Sequence, residues 1–184
     1  MTGYYSPASI LTESQKVRTT FELALDSQLS ATLNNGNAIE PGTQIHLPIW
    51  LGQFLHVSEP GGVGTGSIAS VDMPNALGKR VINAMSADPK SVDVRAQAQY
   101  FYGLAEKMLE TQVNDELSDC LIDSFKQRSL EIADKAQNLR QTQKTGGSDE
   151  FLRGCDDTEV MVYKSAHEAT KAVKAFFDAE SHRL

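Results

Sequence analysis

Along Val17-Arg18-Thr19-Thr20-Phe21-Glu22-Leu23 apolar and polar positions alternate, which places Val17, Thr19, Phe21 and Leu23 on one face. A period of two marks a half-buried strand, because successive side chains of an extended chain point to opposite sides. Gln44-Ile45-His46-Leu47 repeats the alternation, and Ser67 to Met73 does so again with Ala69, Val71 and Met73 together. Asn34-Asn35-Gly36-Asn37 and Glu40-Pro41-Gly42 lie between the first two runs and supply turn residues tolerant of positive φ. Pro48, with its fixed φ and no N–H, suits the first turn of a short helix from Ile49 to Val57. The apolar face of that helix, formed by Trp50, Leu51, Phe54 and Leu55, is broad enough to predict burial, with Trp50 as the anchor against the sheet.

From Pro74 the period changes. Met73, Leu77, Val81 and Met85 recur at i, i+4 and predict a helix ending near Ser86, before Asp88-Pro89, because a proline disfavours helical backbone in the residue preceding it. A second helix carries Val94, Ala98, Phe101, Ala105, Met108 and Leu109 on one stripe. A third starts at Asn114, a good N-cap followed by Asp115 and Glu116, and runs through Leu117, Leu121, Phe125, Ile132, Ala136 and Leu139 to a stop at Lys144 and Gly146-Gly147. At 1.5 Å per residue it reaches ~40 Å, longer than the core of one such domain requires.

The last segment, Ser148 to Leu184, reads as helix apart from Gly154, which costs about 1 kcal/mol inside a helix, whereas Asp156 with Glu159 three residues on can cap a fresh start. Beyond Val160 two apolar stripes adjoin, one of Val162, Ala166, Ala169, Val173 and Phe176, the other of Tyr163, Thr170 and Phe177. That width predicts contact on two sides, and Tyr163, Ala166, Thr170, Val173, Phe176 and Phe177 are the candidate subunit interface. All six prolines precede residue 90. The expected fold is mainly α: a small strand-containing domain over residues 1–72, then an α-helical bundle domain over 73–184.

The 184 residues hold 24 acidic and 17 basic side chains, a net charge of −7, with 40% hydrophobic and 22% charged residues, a composition that folds. The acidity argues against a surface that coats DNA, and Lys79-Arg80 and the pair Lys171 and Lys174 are too sparse for a nucleic-acid stripe, so no direct sequence-specific nucleic-acid binding is expected. Cys120 and Cys155 are too few for a disulfide framework and point to a reducing compartment. Met1 to Glu13 lacks the pattern of a secretory signal. The longest stretch without charge, Pro41 to Ser58, contains two prolines, two histidines and two glycines, unlike a membrane span. The expectation is an intracellular, soluble chain with no membrane partner.

Candidate chemistry is sparse. Gly61-Gly62-Val63-Gly64-Thr65-Gly66-Ser67 invites comparison with a phosphate-cradling loop, but such a loop follows a strand and opens a helix, and here a helix precedes and a strand follows with no lysine nearby. His46, His56, His167 and His182 share no metal-ligand spacing and read as solvated or partly packed. Cys120 falls at the edge of a helical core position, and Cys155 sits beside carboxylates that raise its pKa, so neither reads as an activated nucleophile. Asp156-Asp157-Thr158-Glu159 reads as a solvated helix end. No catalytic, cofactor-binding or metal-ligating residue is expected, and no cofactor. The rival readings are a helical-bundle enzyme or ligand-binding protein, with Tyr100, Tyr102 and Met108 lining a pocket, and a generic adaptor.

Several stretches taken together resemble one family. Thr43-Gln44-Ile45-His46-Leu47-Pro48-Ile49-Trp50-Leu51 is similar to the strand-to-helix L-P-x-W-L signature of the GINS complex subunit of the Psf-three type. Ser86-Ala87-Asp88-Pro89-Lys90-Ser91-Val92-Asp93-Val94, followed by Tyr100-Phe101-Tyr102-Gly103, resembles that subunit's A-D-P-x-x-V-D-L … F-Y-G segment. Gly3-Tyr4-Tyr5, Ile10-Leu11 and Val17-Arg18-Thr19 fit its opening, and Phe151-Leu152, Glu159, Tyr163-Lys164 and His167-Glu168 its close. The resemblance implies a non-catalytic structural subunit of a heterotetramer whose helical halves pack on one another. Its implied partners are the three other GINS subunits and, through them, the minichromosome maintenance helicase ring and its Cdc-type activator, in the nucleus. Leu47, Pro48, Trp50, Asp88, Pro89, Phe101 and Tyr102 carry over as structural markers only. The loop Glu59 to Ser67 carries no inherited role. Gly154 and Thr158 stand where bulkier helix residues are expected.

Overall fold

The computed structural model describes residues 6–62, 64, 66–137 and 152–181. Of these, the residues up to Gly78 together with Gly103–Val113 form one compact unit, and Lys79–Tyr102 with the residues from Asn114 onward form a second.

The first unit is built on a three-stranded antiparallel sheet in the order β2-β1-β3, with β1 at Lys16–Phe21, β2 at Gln44–Pro48 and β3 at Ala69–Val71. Val17 pairs with Leu47 and Thr19 with both Ile45 and Val71. The alternation works as expected: Val17, Thr19 and Phe21 are buried, but the strand ends at Phe21 and Leu23 is exposed. Two short helices, α1 at Pro7–Glu13 and α2 at Ser27–Leu33, flank β1. Phe21, Ile39, Leu47, Leu55 and Ala69 form the buried cluster, with Leu25, Leu33, Ile45, Leu51 and Ile68 against it.

Helix α3 (Ile49–Val57) follows Pro48 directly, as the sequence predicts, but it turns a different side to the sheet. Ile49, Gly52 and Leu55 are buried, whereas Trp50 is 54% exposed and Phe54 and Val57 are more so. The expectation that Trp50 anchors the helix is therefore corrected. At Gly52 the helix comes so close to the sheet that a Cβ would lie 3.2 Å from both Thr19 Oγ1 and Val71 Cγ2. With that approach fixed, positions three before and three after Gly52 face inward, which rotates Trp50 out.

The predicted helix from Pro74 to Ser86 is interrupted. A 3-10 turn at Asn75–Leu77 is followed by an extended Gly78, and α4 runs over Lys79–Ala87 with Val81, Ile82 and Met85 buried. The predicted second helix is also split, into α5 at Val94–Gln97 and α6 at Phe101–Thr111, the latter passing from the second unit into the first after Tyr102. Helix α7 (Asp115–Gln137) starts where expected, with Asn114 Oδ1 accepting the Leu117 N–H at 3.0 Å. Its predicted stop at Lys144 to Gly147 lies outside the described residues, as do Gly3-Tyr4-Tyr5 and Phe151. Gly154 falls in a turn, and α8 begins afresh at Asp157 and runs to Ser181.

Candidate functional site

Within the second unit the marker segments converge on one arginine. Arg128 lies on the inner side of α7, 2% exposed, and its five N–H donors all find acceptors. Nε donates to Glu159 Oε1 at 2.6 Å and Nη2 to Glu159 Oε2 at 2.8 Å, a bidentate pair with α8. Nη1 donates to the carbonyls of Pro89 at 2.8 Å and Val92 at 2.9 Å, and Nη2 also reaches the Gly154 carbonyl at 3.4 Å. The Asp88-Pro89 segment is thus held by its backbone: Pro89 is buried, while Asp88 stays exposed and accepts the Lys90 N–H.

Glu159 is equally occupied. Its Oε1 also accepts the Tyr102 hydroxyl at 3.0 Å, and its Oε2 the Asp156 N–H at 3.2 Å, the return half of a capping box. Asp156 begins α8 and also starts α6, because its carboxylate accepts the N–H groups of Phe101 at 3.1 Å and Tyr102 at 3.4 Å. This accounts for the break between α5 and α6: the first N–H groups of α6 take a carboxylate distant in sequence instead of carbonyls one turn back. Phe101 is buried, and the Tyr102 ring meets Phe101 and Phe125 edge to face at 5.4 and 5.0 Å.

The reading of residues 156–159 as a solvated helix end is corrected, since Asp156 and Glu159 are fully buried. Carboxylates enter a core only when paired, and here arginine, a phenol and backbone N–H groups pair them. The electrostatics follow from this. Burial alone would depress the Arg128 guanidinium, but the Glu159 carboxylate outweighs it and pushes the group up. Burial, then Glu159, hold the Tyr102 phenol well above its ordinary range and push the Cys155 thiol up to about 12. Burial also raises Asp156, against the opposing pull of the backbone N–H groups of Asp157, Tyr102 and Phe101. A thiol and a phenol held protonated beside a saturated ion pair form a clamp with no activated nucleophile in it.

Among the described residues, α8 and α3 also carry exposed apolar side chains. Tyr163, from the predicted interface, is buried against Ile132 and Ala136 with Leu152 and Ala166 packed around it, and its ring stacks on His167 at 5.6 Å. Thr170 is half-buried and donates to the Ala166 carbonyl. Val173, Phe176 and Phe177 are 56%, 61% and 63% exposed near the end of α8. The wide band therefore divides: Tyr163 and Ala166 pack against Ile132 and Ala136 of α7, while Val162, Val173, Phe176 and Phe177 face solvent. On α3, Trp50, Phe54 and Val57 form a further exposed apolar row.

Of the remaining candidates, Met108 is buried, and His56 and His167 lie against the carbonyls of Ala69 and Ala136, partly packed as read. The Gly-rich loop joins α3 to β3, and Gly64 donates its N–H to Glu59 Oε2 at 2.7 Å. Among the described residues no group of three His, Cys, Asp or Glu side chains is placed to hold a metal ion, and no helix is long and apolar enough to cross a membrane. Sequence reading missed Arg128, whose only signal was a charge at i−4 to Ile132 on the inner stripe of α7.

Residues 76–175 match the GINS complex protein helical bundle domain, and residues 5–57 match the PSF3 N-terminal domain. The chain is therefore of the GINS class, a sheet-bearing segment followed by that bundle. It is 41% identical to the DNA replication complex GINS protein psf3 of Aspergillus fumigatus over 94% of both chains, and 38% identical to that of Phaeosphaeria nodorum over 96% of both. With the protein of that name from Schizosaccharomyces pombe it shares 29% identity over 92% of this chain and 94% of the other. The chain belongs to the Psf3 family of DNA replication GINS complex subunits.

Proposed function

We propose that this chain is a non-catalytic structural subunit of a heterotetrameric GINS complex, acting in the nucleus within the replicative helicase assembly during initiation and elongation of chromosomal DNA replication. Its direct partners in this reading are the three other GINS subunits. Through them it meets the minichromosome maintenance ring and its Cdc-type activator. The two-part division at residues 72 and 73 belongs to the same proposal, supported by family segments that end at 57 and resume at 76.

The observation that carries the assembly reading is the far end of α8, where Val173, Phe176 and Phe177 face solvent on a helix whose Tyr163 and Ala166 are packed. Soluble monomers rarely keep such a row of large apolar side chains in water, and a partner helix would cover it. The test is co-expression with and without the three partner subunits. A stoichiometric four-chain complex, with poor recovery of the chain alone, is expected. A well-behaved monomer that ignores all three partners would overturn the reading.

A further inference from the structure

Helices α7 and α8 meet through three rungs at steps of four residues: Arg128 with Glu159, Ile132 with Tyr163, and Ala136 with His167. The first and last rungs both join residues 31 apart in sequence, so the helices run parallel. The middle rung does not choose a position strongly, and the last is a single hydrogen bond between the His167 ring and the Ala136 carbonyl, at 3.2 Å, with no charge in it. Apolar contact is non-directional, and Ile132, Ala136, Tyr163 and Ala166 would pack nearly as well one turn along. The first rung has a direction. A shift of one turn places either Tyr163 opposite Arg128 or Glu159 opposite Ile132, and each shift strands a buried charge.

We propose that the Arg128–Glu159 pair is a register key that sets the axial position of α8 against α7, where apolar packing alone leaves it open. Each half of the key is also fastened outside its own helix. Arg128 is tied to the carbonyls of Pro89 and Val92, and Glu159 to the Tyr102 hydroxyl, so neither charge can follow a slipping helix. A planar guanidinium that fills two carboxylate oxygens and two loop carbonyls accepts one arrangement, which a lysine cannot reproduce. The key thereby fixes where Val173, Phe176 and Phe177 stand. That last consequence rests on the assembly reading above; the register itself does not.

The test is a nitroxide distance measurement on the full chain, with labels at Leu130→Cys and Lys164→Cys, both exposed sites, in a Cys120→Ser background. The unaltered pair should give one narrow distribution. Arg128→Met/Glu159→Leu should keep the helical content but add a population displaced by about one helical turn, ~5–6 Å. Arg128→Lys should broaden the distribution, and it decides the matter if the double variant fails to fold. One unchanged narrow distribution in the variants that fold would overturn the proposal. So would loss of helix in both, because the pair would then serve stability and not register. If the unaltered chain fails to co-purify with partner subunits, the assembly reading falls while these distances still report on the key.

Discussion

The Asp156 carboxylate accepts the backbone N–H of Phe101 at 3.1 Å across 55 residues of sequence, so the residue that opens the last helix also opens α6. Its two oxygens take the N–H groups of Phe101, Tyr102 and Asp157, the first bond buried and the other two partly so. Asp156→Ala leaves these donors without acceptors and should lower stability by ~1–3 kcal/mol. Asp156→Asn keeps one acceptor oxygen and should cost less. Chemical denaturation of the two variants checks the order, and equal losses would contradict it.

The same carboxyl predicts a pH signature. Burial raises its native pKa above the ordinary 3.8, so the folded chain holds the proton more tightly than the unfolded one. Such a group contributes stability that is fully present below the unfolded value and is lost as pH rises through the native value. The stability advantage of the parent chain over Asp156→Asn should accordingly shrink as pH climbs from 3.8, then level off. An advantage that grows over this range would contradict the assignment.

Residues Ile49 and Trp50, adjacent in sequence, should behave oppositely. Ile49 is fully buried at the start of α3, and Ile49→Ala should cost ~2–5 kcal/mol. Trp50 is half-exposed, and Trp50→Ala should cost less than about 1 kcal/mol. Thermal melts of the two variants decide it; a larger loss at Trp50 would mean that α3 is rotated from the orientation described.

Gly103 in α6 is held by contact. A Cβ there would lie 2.8 Å from Thr12 Oγ1, a buried hydroxyl that donates to the Ala8 carbonyl at 2.8 Å and has little freedom to move. Gly103→Ala should therefore destabilise by ~1 kcal/mol or more, overcoming a helix-propensity gain of about that size. In a Thr12→Ala background the same change should become neutral or stabilising. A double-mutant cycle reads the coupling, and additive effects would contradict the contact.

Local patterning made much of the fold legible. The strand alternation at Val17 to Phe21 and the Pro48 start of α3 follow from rules that act within a few residues, as does the Asn114 cap. What escaped is what depends on partners far along the chain. Helix α2 is short, its Asp26 cap makes no side-chain hydrogen bond, and it is held instead by Ser30, whose hydroxyl bridges the Leu25 carbonyl and the Ile39 N–H. Trp50 was misplaced because a helix with apolar residues on most sides does not reveal which side the sheet will meet; Gly52, the residue that decides it, carries no hydrophobic signal. Asp156 and Glu159 read as a solvated end because burial of a carboxylate is set by its partner, and Arg128 lies 31 residues from Glu159.

In the proposed function this chain is held in an assembly through the exposed end of α8. Val173→Asp, Phe176→Asp and Phe177→Asp place charges where the side chains already face water, so helical content and melting temperature should stay close to those of the parent. Tyr163→Asp buries an unpaired charge against Ile132 and Ala136 and should unfold the second unit, serving as the contrast. Co-purification of each variant with the three partner subunits is the decisive measurement. The account predicts that at least two of the three exposed-site variants lose the partners while remaining folded. Parent-level recovery of the four-chain complex by all three would contradict it.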